Sequence, residues 1–504
     1  MEDNKIMAFK TGVHRNCPTF FPEMVEDYIP DNHLAKIVVT IVEKLNLMKI
    51  INKYSELGQH AIAPKILVAI LFYGYAIGIR SSRKLSQACV ERLDFMYITA
   101  KLRPSHKVIS EFRRINFEEL EEVFKEIILI GIKIGLAKIG NIKVSIDGSK
   151  IRANASGKLT KDEEGLNKLL AEVKEQVTEM MKEAEAVDKK EDKEHGKNQG
   201  NELPKELEKL EGRKTKIEEA LKELQEEKKA LKENILKEKG KLTKKEEEEI
   251  EKKKINITDT DAKYMKEREG CIKTNYNAQV SVDEANQFIL ANTVTMDCND
   301  KKQLIPMLKQ TEENIEAKID EGKADSGYHS SQNLADANEM GIDVFIDDSN
   351  KKRVGNENHK HDKVNFKYDP ASNSYTCPEG EKLELKSAKK GTYECNKCPS
   401  CPAKESCTKS KRRIITRDKN EIFVEENRAK IMSEEGAEKY QKRMHTVEPV
   451  YGNIKFNLGF KQFLLRGLDK VKGEFNLMCV AHNLQKIWRF VVKNEIDLGL
   501  CLIS

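Results

Sequence analysis

The sequence predicts a mixed α/β core, preceded by a helical region and interrupted by a long charged helical insertion. Three observations carry this. Apolar residues recur at three- and four-residue steps between about Ile37 and Leu136; short β-branched segments alternate with helical ones from Ile142 onward; Lys161 to about Lys254 is almost wholly Glu, Lys, Leu and similar residues. The 504 residues, 38% of them hydrophobic, suffice for a large buried core and for about three domains of ordinary size. Charged residues make up 34%, yet 89 Lys and Arg against 84 Asp and Glu leave a net charge of only +5, weak evidence by itself for a nucleic-acid partner.

Met1 to Asp31 mixes acids, bases and prolines without an apolar stretch of signal-peptide type, so a cytoplasmic location is expected. In the helical region, Ile66, Leu67, Ile70, Leu71 and Tyr75 mark an apolar face; Pro64 starts one helix and Pro104 another. The longest apolar run, Ile66 to Ile79, falls short of the roughly 20 residues that span a bilayer, so a buried helix is expected and no membrane role. Short turns and helix starts here carry Ser81, Ser82, Arg83, Lys84 and Arg113, types that suit phosphate contacts and equally an ordinary solvated face.

Ile142 to Ile146 reads as a strand ending at Asp147, where Gly148 and Ser149 break the pattern. Asn277 to Val282 and Phe288 to Val294, joined by the polar turn Asp283 to Asn286, form an expected hairpin. A further short segment leads through Lys323 and Ala324 to Asp325 before the turn at Ser326 and Gly327, and helices such as Lys301 to Ile319 alternate with the strands. Within the charged insertion, Leu166, Leu170, Val173, Val177, Met180 and Ala184 step at helical spacing. In its second half so do Leu203, Leu207, Leu210, Ile217, Leu221, Leu224, Leu231 and Ile235, with Lys214 and Lys228 at skipped seam positions, and Gly196 to Pro204 separates the halves. An antiparallel helical hairpin follows, its apolar stripes packed on each other.

Three acids stand out by context: Asp147, Asp325 in KADSGY and Glu448 in HTVEPVYGNIK. Singly, each is an ordinary cap or turn former. The surrounding segments change that reading. VSIDGSKIRANAS around Asp147, TNYNAQVSVDEANQFILANTVTMDCNDKKQLIPML from Thr274 to Leu308, KADSGYHSSQNL around Asp325 and VEPVYGNIKFNLGFKQFLLRGLDKVKGEFNLMCVAHNLQKIW from Val447 to Trp488 resemble transposases of the IS1182 group, among the IS4/IS5-type DDE transposases. The helical stretch from Tyr54 to Ala100 similarly resembles their N-terminal domain.

The resemblance implies a ribonuclease H-like catalytic core, a mixed sheet flanked by helices, behind an all-α N-terminal domain and carrying helical-hairpin and Cys-rich insertions. It divides the chain into a helical region binding DNA ends (1–140), three parts of the core (141–160, 255–350 and 421–504), the charged hairpin (161–254) and the Cys-rich insertion (351–420). The family's aspartates fall on Asp147 and Asp325 and its glutamate on Glu448. Its Tyr, Arg, Glu, Lys signature maps onto Tyr440, Arg443, Glu448 and Lys455, with one extra residue between Arg and Glu, so His445 is a second candidate for the arginine's role. Arg443, Lys455, Lys461 and Arg466, with Arg83, Lys84 and Arg113 in the helical region, are expected to hold DNA phosphates. The implied partners are double-stranded DNA, as terminal inverted repeats and as target, and a second copy of the chain in a homodimeric synaptic complex associated with the nucleoid.

The chemistry explains why carboxylates should converge. Two bare carboxylates about 4 Å apart repel by roughly 4 kcal/mol at an effective dielectric near 20, so the cluster calls for a cation. Hard oxygen donors suit Mg²⁺ or Mn²⁺, the ions that serve in-line phosphoryl displacement. Asp259, Asp261, Asp283 and Asp297 sit at turns or strand ends outside the family's pattern and rank lower.

Eleven cysteines in a reducing compartment are not expected to pair, and five crowd together as Cys377, Cys395, Cys398, Cys401 and Cys407. Four thiolates at such spacing can close a structural Zn²⁺ site; the similar family segment implies Cys377, Cys398, Cys401 and Cys407. Two rival readings are a nuclease or degenerate DNA-binding copy of the same fold without strand transfer, and a zinc-braced coiled-coil scaffold without catalysis. The presence of all three carboxylates speaks against degeneracy, and a scaffold would leave the block from Val447 to Trp488 idle.

Overall fold

The structure, a computed structural model, describes residues 24–54, 61–138, 140–195, 205–267 and 270–502. Six strands form its main sheet: β1 (Lys143–Arg152), β2 (Lys263–Lys266), β3 (Ile272–Asp283), β4 (Ile289–Thr295), β5 (Glu321–Ala324) and β6 (Asp343–Ile346). The order is β2-β3-β1-β5-β6, with β4 also paired to β3. β3 runs antiparallel to β1, β2 and β4, whereas β5 and β6 run parallel to β1. This mixed sheet with flanking helices is consistent with a ribonuclease H-like core.

β1 does not stop at Asp147. It continues to Arg152 because β3 pairs with it along the whole way from Val144 to Arg152, and a continuous hydrogen-bond ladder outweighs the weak strand preference of Gly148 and Ser149. β3 likewise begins at Ile272, five residues before the apolar alternation becomes legible.

In the N-terminal region, α1 (Pro64–Ala76) starts on its proline and is buried on all sides from Leu67 to Ala76, as an apolar helix without a polar face must be. α2 (His106–Ile115) and α3 (Phe117–Lys133) follow. One continuous apolar core takes in residues from Leu34 to Leu498, joining these helices to the sheet. Its axis is the long C-terminal helix, which packs on α1, α3 and β4 at once.

Two helices, α4 (Glu163–His195) and α5 (Lys205–Lys239), leave the sheet after β1. Leu166, Leu170, Val173 and Val177 meet Leu207, Ile217, Ala220 and Leu224 in a separate small core. Lys228 is buried in that seam, its ammonium 2.6 Å from Glu163. The break at Gly196 to Pro204 lies outside the described residues. The Cys-rich stretch folds as a five-stranded antiparallel sheet around Phe366, Tyr375, Leu383, Tyr393 and Ile415. Among the described residues no helix is long and apolar enough to cross a membrane.

Candidate active site

The parallel ladder between β1 and β5 ends at Ile146 and Ala324, so the next residue on each strand is one of the two aspartates. Asp147 is 5% exposed. Asp325 ends its strand by capping the short turn Ser326–Tyr328, accepting a hydrogen bond from the Gly327 N–H at 2.8 Å.

The helix α6 (Glu434–Gly452) crosses this edge. Its Arg443 Nη1 stands 3.6 Å from Asp147 Oδ1, and Tyr451 Oη donates to the carbonyls of Asp147 (3.0 Å) and Ala278 (2.7 Å). Burial works against the charge of Arg443, but Asp147, Tyr440 and Asp325 outweigh it and hold its pKa above the ordinary value. Pro449 sits inside the helix and lacks the N–H that would bond the His445 carbonyl; Gln287 Nε2 takes that carbonyl instead, at 2.8 Å. Beyond Gly452 the helix widens into a π turn, Asn453–Asn457, an irregularity frequent at functional sites. From that turn Lys455 Nζ donates to Ser149 Oγ (2.6 Å) and to the Lys150 carbonyl (3.0 Å).

Glu448 lies three residues before Tyr451, on the exposed stripe of the helix with Met444 and His445, whereas Thr446, Val447, Val450 and Tyr451 are buried. Its side chain is exposed and makes no hydrogen bond or ion pair among the described residues. Asp147 and Asp325 thus follow the last paired residues of neighbouring strands and both act on Arg443, while Glu448 is exposed on the helix that carries that arginine. Among the described residues no group of three or more His, Cys, Asp or Glu forms a ready-made metal site. The donor chemistry nonetheless fits a hard divalent cation, because two carboxylates follow the end of the β1–β5 ladder beside a helix that carries a third.

The other residues singled out from the sequence separate clearly. Arg466 Nε donates to the Asn154 carbonyl at 2.8 Å, and Lys461 is exposed with its ammonium 5.2 Å from the Phe456 ring centre. His445, Arg83 and Lys84 are exposed, and it is Arg443 that reaches Asp147. Arg113 is a correction: it is 5% exposed and donates to Tyr75 Oη (2.8 Å) and to the Arg80 carbonyl (3.1 Å). Its spacing from Ile109 and Phe112 puts it on the buried stripe of α2, so it braces the helices and presents no charge to a phosphate.

Sequence reasoning missed Asp300. Its carboxylate accepts from Asn277 Nδ2 (2.6 Å) and Gln279 Nε2 (2.7 Å) and lies 3.7 Å from Lys150 Nζ. The available signal was the polar pair Asn277 and Gln279 at alternate positions of a strand buried on both faces.

In the small sheet all five cysteines are free and line one cavity. The backbone N–H groups of Glu381 and Arg413 donate to the sulfurs of Cys377 and Cys398, each at 3.3 Å. Burial raises the Cys407 thiol pKa; Arg413 opposes this, and Cys398, Cys377 and Cys401 add to it. Cys395 is 2% exposed within the apolar core, its thiol pushed up to about 11 by burial and by Cys398.

A family model described as Transposase DDE domain matches residues 376–488, and one described as Transposase domain (DUF772) matches residues 23–114. The first spans the cysteines and Glu448 and excludes Asp147 and Asp325. No curated protein and no solved structure matches the chain. With one transposase family model matched on its N-terminal helices and another from the small sheet into the C-terminal helix, the chain carries the pair of domains that is the hallmark of DDE transposases of the IS1182 group.

Proposed function

We propose that the chain cuts and joins DNA at the ends of an insertion sequence, with Asp147, Asp325 and Glu448 as its catalytic carboxylates and Mg²⁺ or Mn²⁺ as cofactor. The observation that carries this reading is the placement of Asp147 and Asp325 just past the last paired residues of the parallel β1–β5 ladder, beside the helix that bears Arg443, Glu448 and Tyr451. When bound, divalent ions supply activation of the attacking oxygen and charge neutralisation at the leaving one. The residues divide the remaining work. Asp147 and Asp325 offer oxygens from fixed backbone, and Glu448 adds its carboxylate as DNA closes the gap to the helix. Lys455, Arg443, Lys461, Arg466 and His445 hold the phosphates on either side of the reacting one, with Arg83 and Lys84 further along the duplex.

In the first step water attacks phosphorus at the element's end, the phosphorus–oxygen bond to the 3′ carbon breaks, and a 3′ hydroxyl is released. In the second, that hydroxyl attacks a target phosphorus and displaces the target's own 3′ oxygen. Two ends must be joined to one target, so a homodimer holding one end per subunit is the expected assembly. The test is Mg²⁺-dependent cleavage of terminal-repeat DNA by the purified protein. Asp147→Ala, Asp325→Ala and Glu448→Ala should each abolish cleavage with repeat binding largely kept, and full cleavage by any one of them removes that residue from the assignment.

A structural Zn²⁺ held by Cys377, Cys398, Cys401 and Cys407 is a second proposal; the sulfurs do not stand as a ready-made site, and it is the backbone N–H groups aimed at two of them and the shared cavity that favour it. Cys395 lines the same cavity and, like Cys398, is buried in the core of the small sheet; the resemblance leaves it out of the ligand set. Purified protein should contain one zinc per chain, retained in Cys395→Ala and lost in Cys398→Ser; protein free of zinc from the start refutes it.

A further inference from the structure

On the face of the sheet opposite Arg443 a buried polar chain runs beneath both aspartates. Tyr328 Oη donates to Gln279 Oε1, and Gln279 Nε2 donates to Asp300 Oδ1. Tyr328 and Gln279 are each fully buried. Tyr328 stands three residues after Asp325, on the turn that Asp325 caps, while Gln279 is the β3 partner of Gly148, the residue after Asp147. The chain thus ties the turn of one aspartate to the strand of the other.

Two glycines make room for it. A Cβ on Gly148 would lie 2.3 Å from Gln279 Nε2 and 2.7 Å from Asp300 Oδ1. A Cβ on Gly327 would lie 2.9 Å from Asp325 Oδ1 and 3.4 Å from Asp300 Oδ2, so Asp300 comes up against the turn of the second aspartate as well as the strand of the first. Asn277 Nδ2 supplies another hydrogen bond to the Asp300 carboxylate from the same strand. Buried polar side chains are costly unless bonded, and a bonded chain fixes one geometry where apolar packing would allow several; Tyr328 and Gln279 are bonded through to Asp300, while Asn277 Oδ1 has no hydrogen-bond partner among the described residues.

We propose that Tyr328, Gln279 and Asp300 are positioning residues that set the spacing between Asp147 and Asp325, and through it the affinity of the pair for a divalent cation. The inference rests on the catalytic reading above. Groups that orient metal-binding side chains from behind typically change metal affinity by about 10- to 100-fold when removed.

The experiment is Mn²⁺ titration of the full-length protein followed by electron paramagnetic resonance, with repeat-DNA binding in chelator and thermal melting measured alongside. Tyr328→Phe, which removes one hydroxyl, and Gln279→Met, which removes both links at similar volume, should weaken Mn²⁺ binding at least about 10-fold, with metal-free DNA binding unchanged. Gly148→Ala, which pushes the chain aside, should do the same. Wild-type Mn²⁺ affinity in a folded Tyr328→Phe overturns the proposal even if the other variants fail to fold. A wild-type protein that binds no Mn²⁺ and cuts no DNA overturns the catalytic reading and this inference with it, whereas a wild type that binds beside variants that bind equally overturns the inference alone.

Discussion

Lowering the pH should strip stability from the support under the end of α6 through one histidine. His482 is 2% exposed, with Nε2 2.9 Å from the Gln287 carbonyl and Nδ1 3.1 Å from Asn453 Nδ2. Asn453 cannot turn its oxygen toward the ring, because its amide also donates to Gln485 and its oxygen accepts from Asn457. Nδ1 must therefore accept and Nε2 donate, which only the neutral imidazole can do. Burial lowers the pKa from 6.5 to about 4, and the charges of Lys486 and Arg489 push the same way against the Gln287 hydrogen bond. The unfolded chain takes up this proton as pH falls through 6.5, and the folded chain does not until about 4. The contribution is thus complete above 6.5, declines across that window and is gone below it. At about 1.4 kcal/mol per unit the window corresponds to roughly 3 kcal/mol. Urea unfolding at several pH values between 7 and 4, comparing wild type with His482→Gln, isolates this share. The wild-type curve should fall more steeply by about that amount; parallel curves would refute the reasoning.

Two further substitutions test the supports around the site. Lys323 is 1% exposed between Glu284 and Glu321, 2.5 Å from the latter, two residues before Asp325. Lys323→Met leaves a buried carboxylate uncompensated and should cost about 3–5 kcal/mol in urea unfolding; a loss under about 1 kcal/mol would mean that Lys143 and Lys439, at 3.7 and 3.8 Å from Glu321, already suffice. In the C-terminal helix, a Cβ on Gly473 would stand 2.0 Å from the Phe117 ring. Gly473→Ala should lower stability by about 1–3 kcal/mol through overpacking, read as a drop in melting temperature, and an unchanged melting temperature would show that Phe117 yields freely.

Local pattern made some of this architecture legible and tertiary pairing hid the rest. The apolar run from Ile66 is a buried helix, and the hairpin around Asp283 to Asn286 appears as β3 and β4, because period and turn chemistry are local properties. The extension of β1 past Asp147 was not legible, since Gly148 and Ser149 are held by a partner strand more than 120 residues away in sequence. The same limit applied at the site. Asp325 could be placed at a strand end, Asp147 could be placed only on its strand, and the carboxylates' family pattern marked both, but nothing near Asp300 announces that Asn277 and Gln279 will reach it. Arg113 misled because a basic residue on a helix resembles a surface cation until the buried stripe of that helix is known.

The continuous core joining the N-terminal helices to the sheet has a mechanical meaning. A molecule gripped by those helices is held at a set reach from Asp147, as by a caliper without a hinge. Splitting the chain near residue 140 would tear the C-terminal helix from α1 and α3, so neither fragment should keep its shape alone.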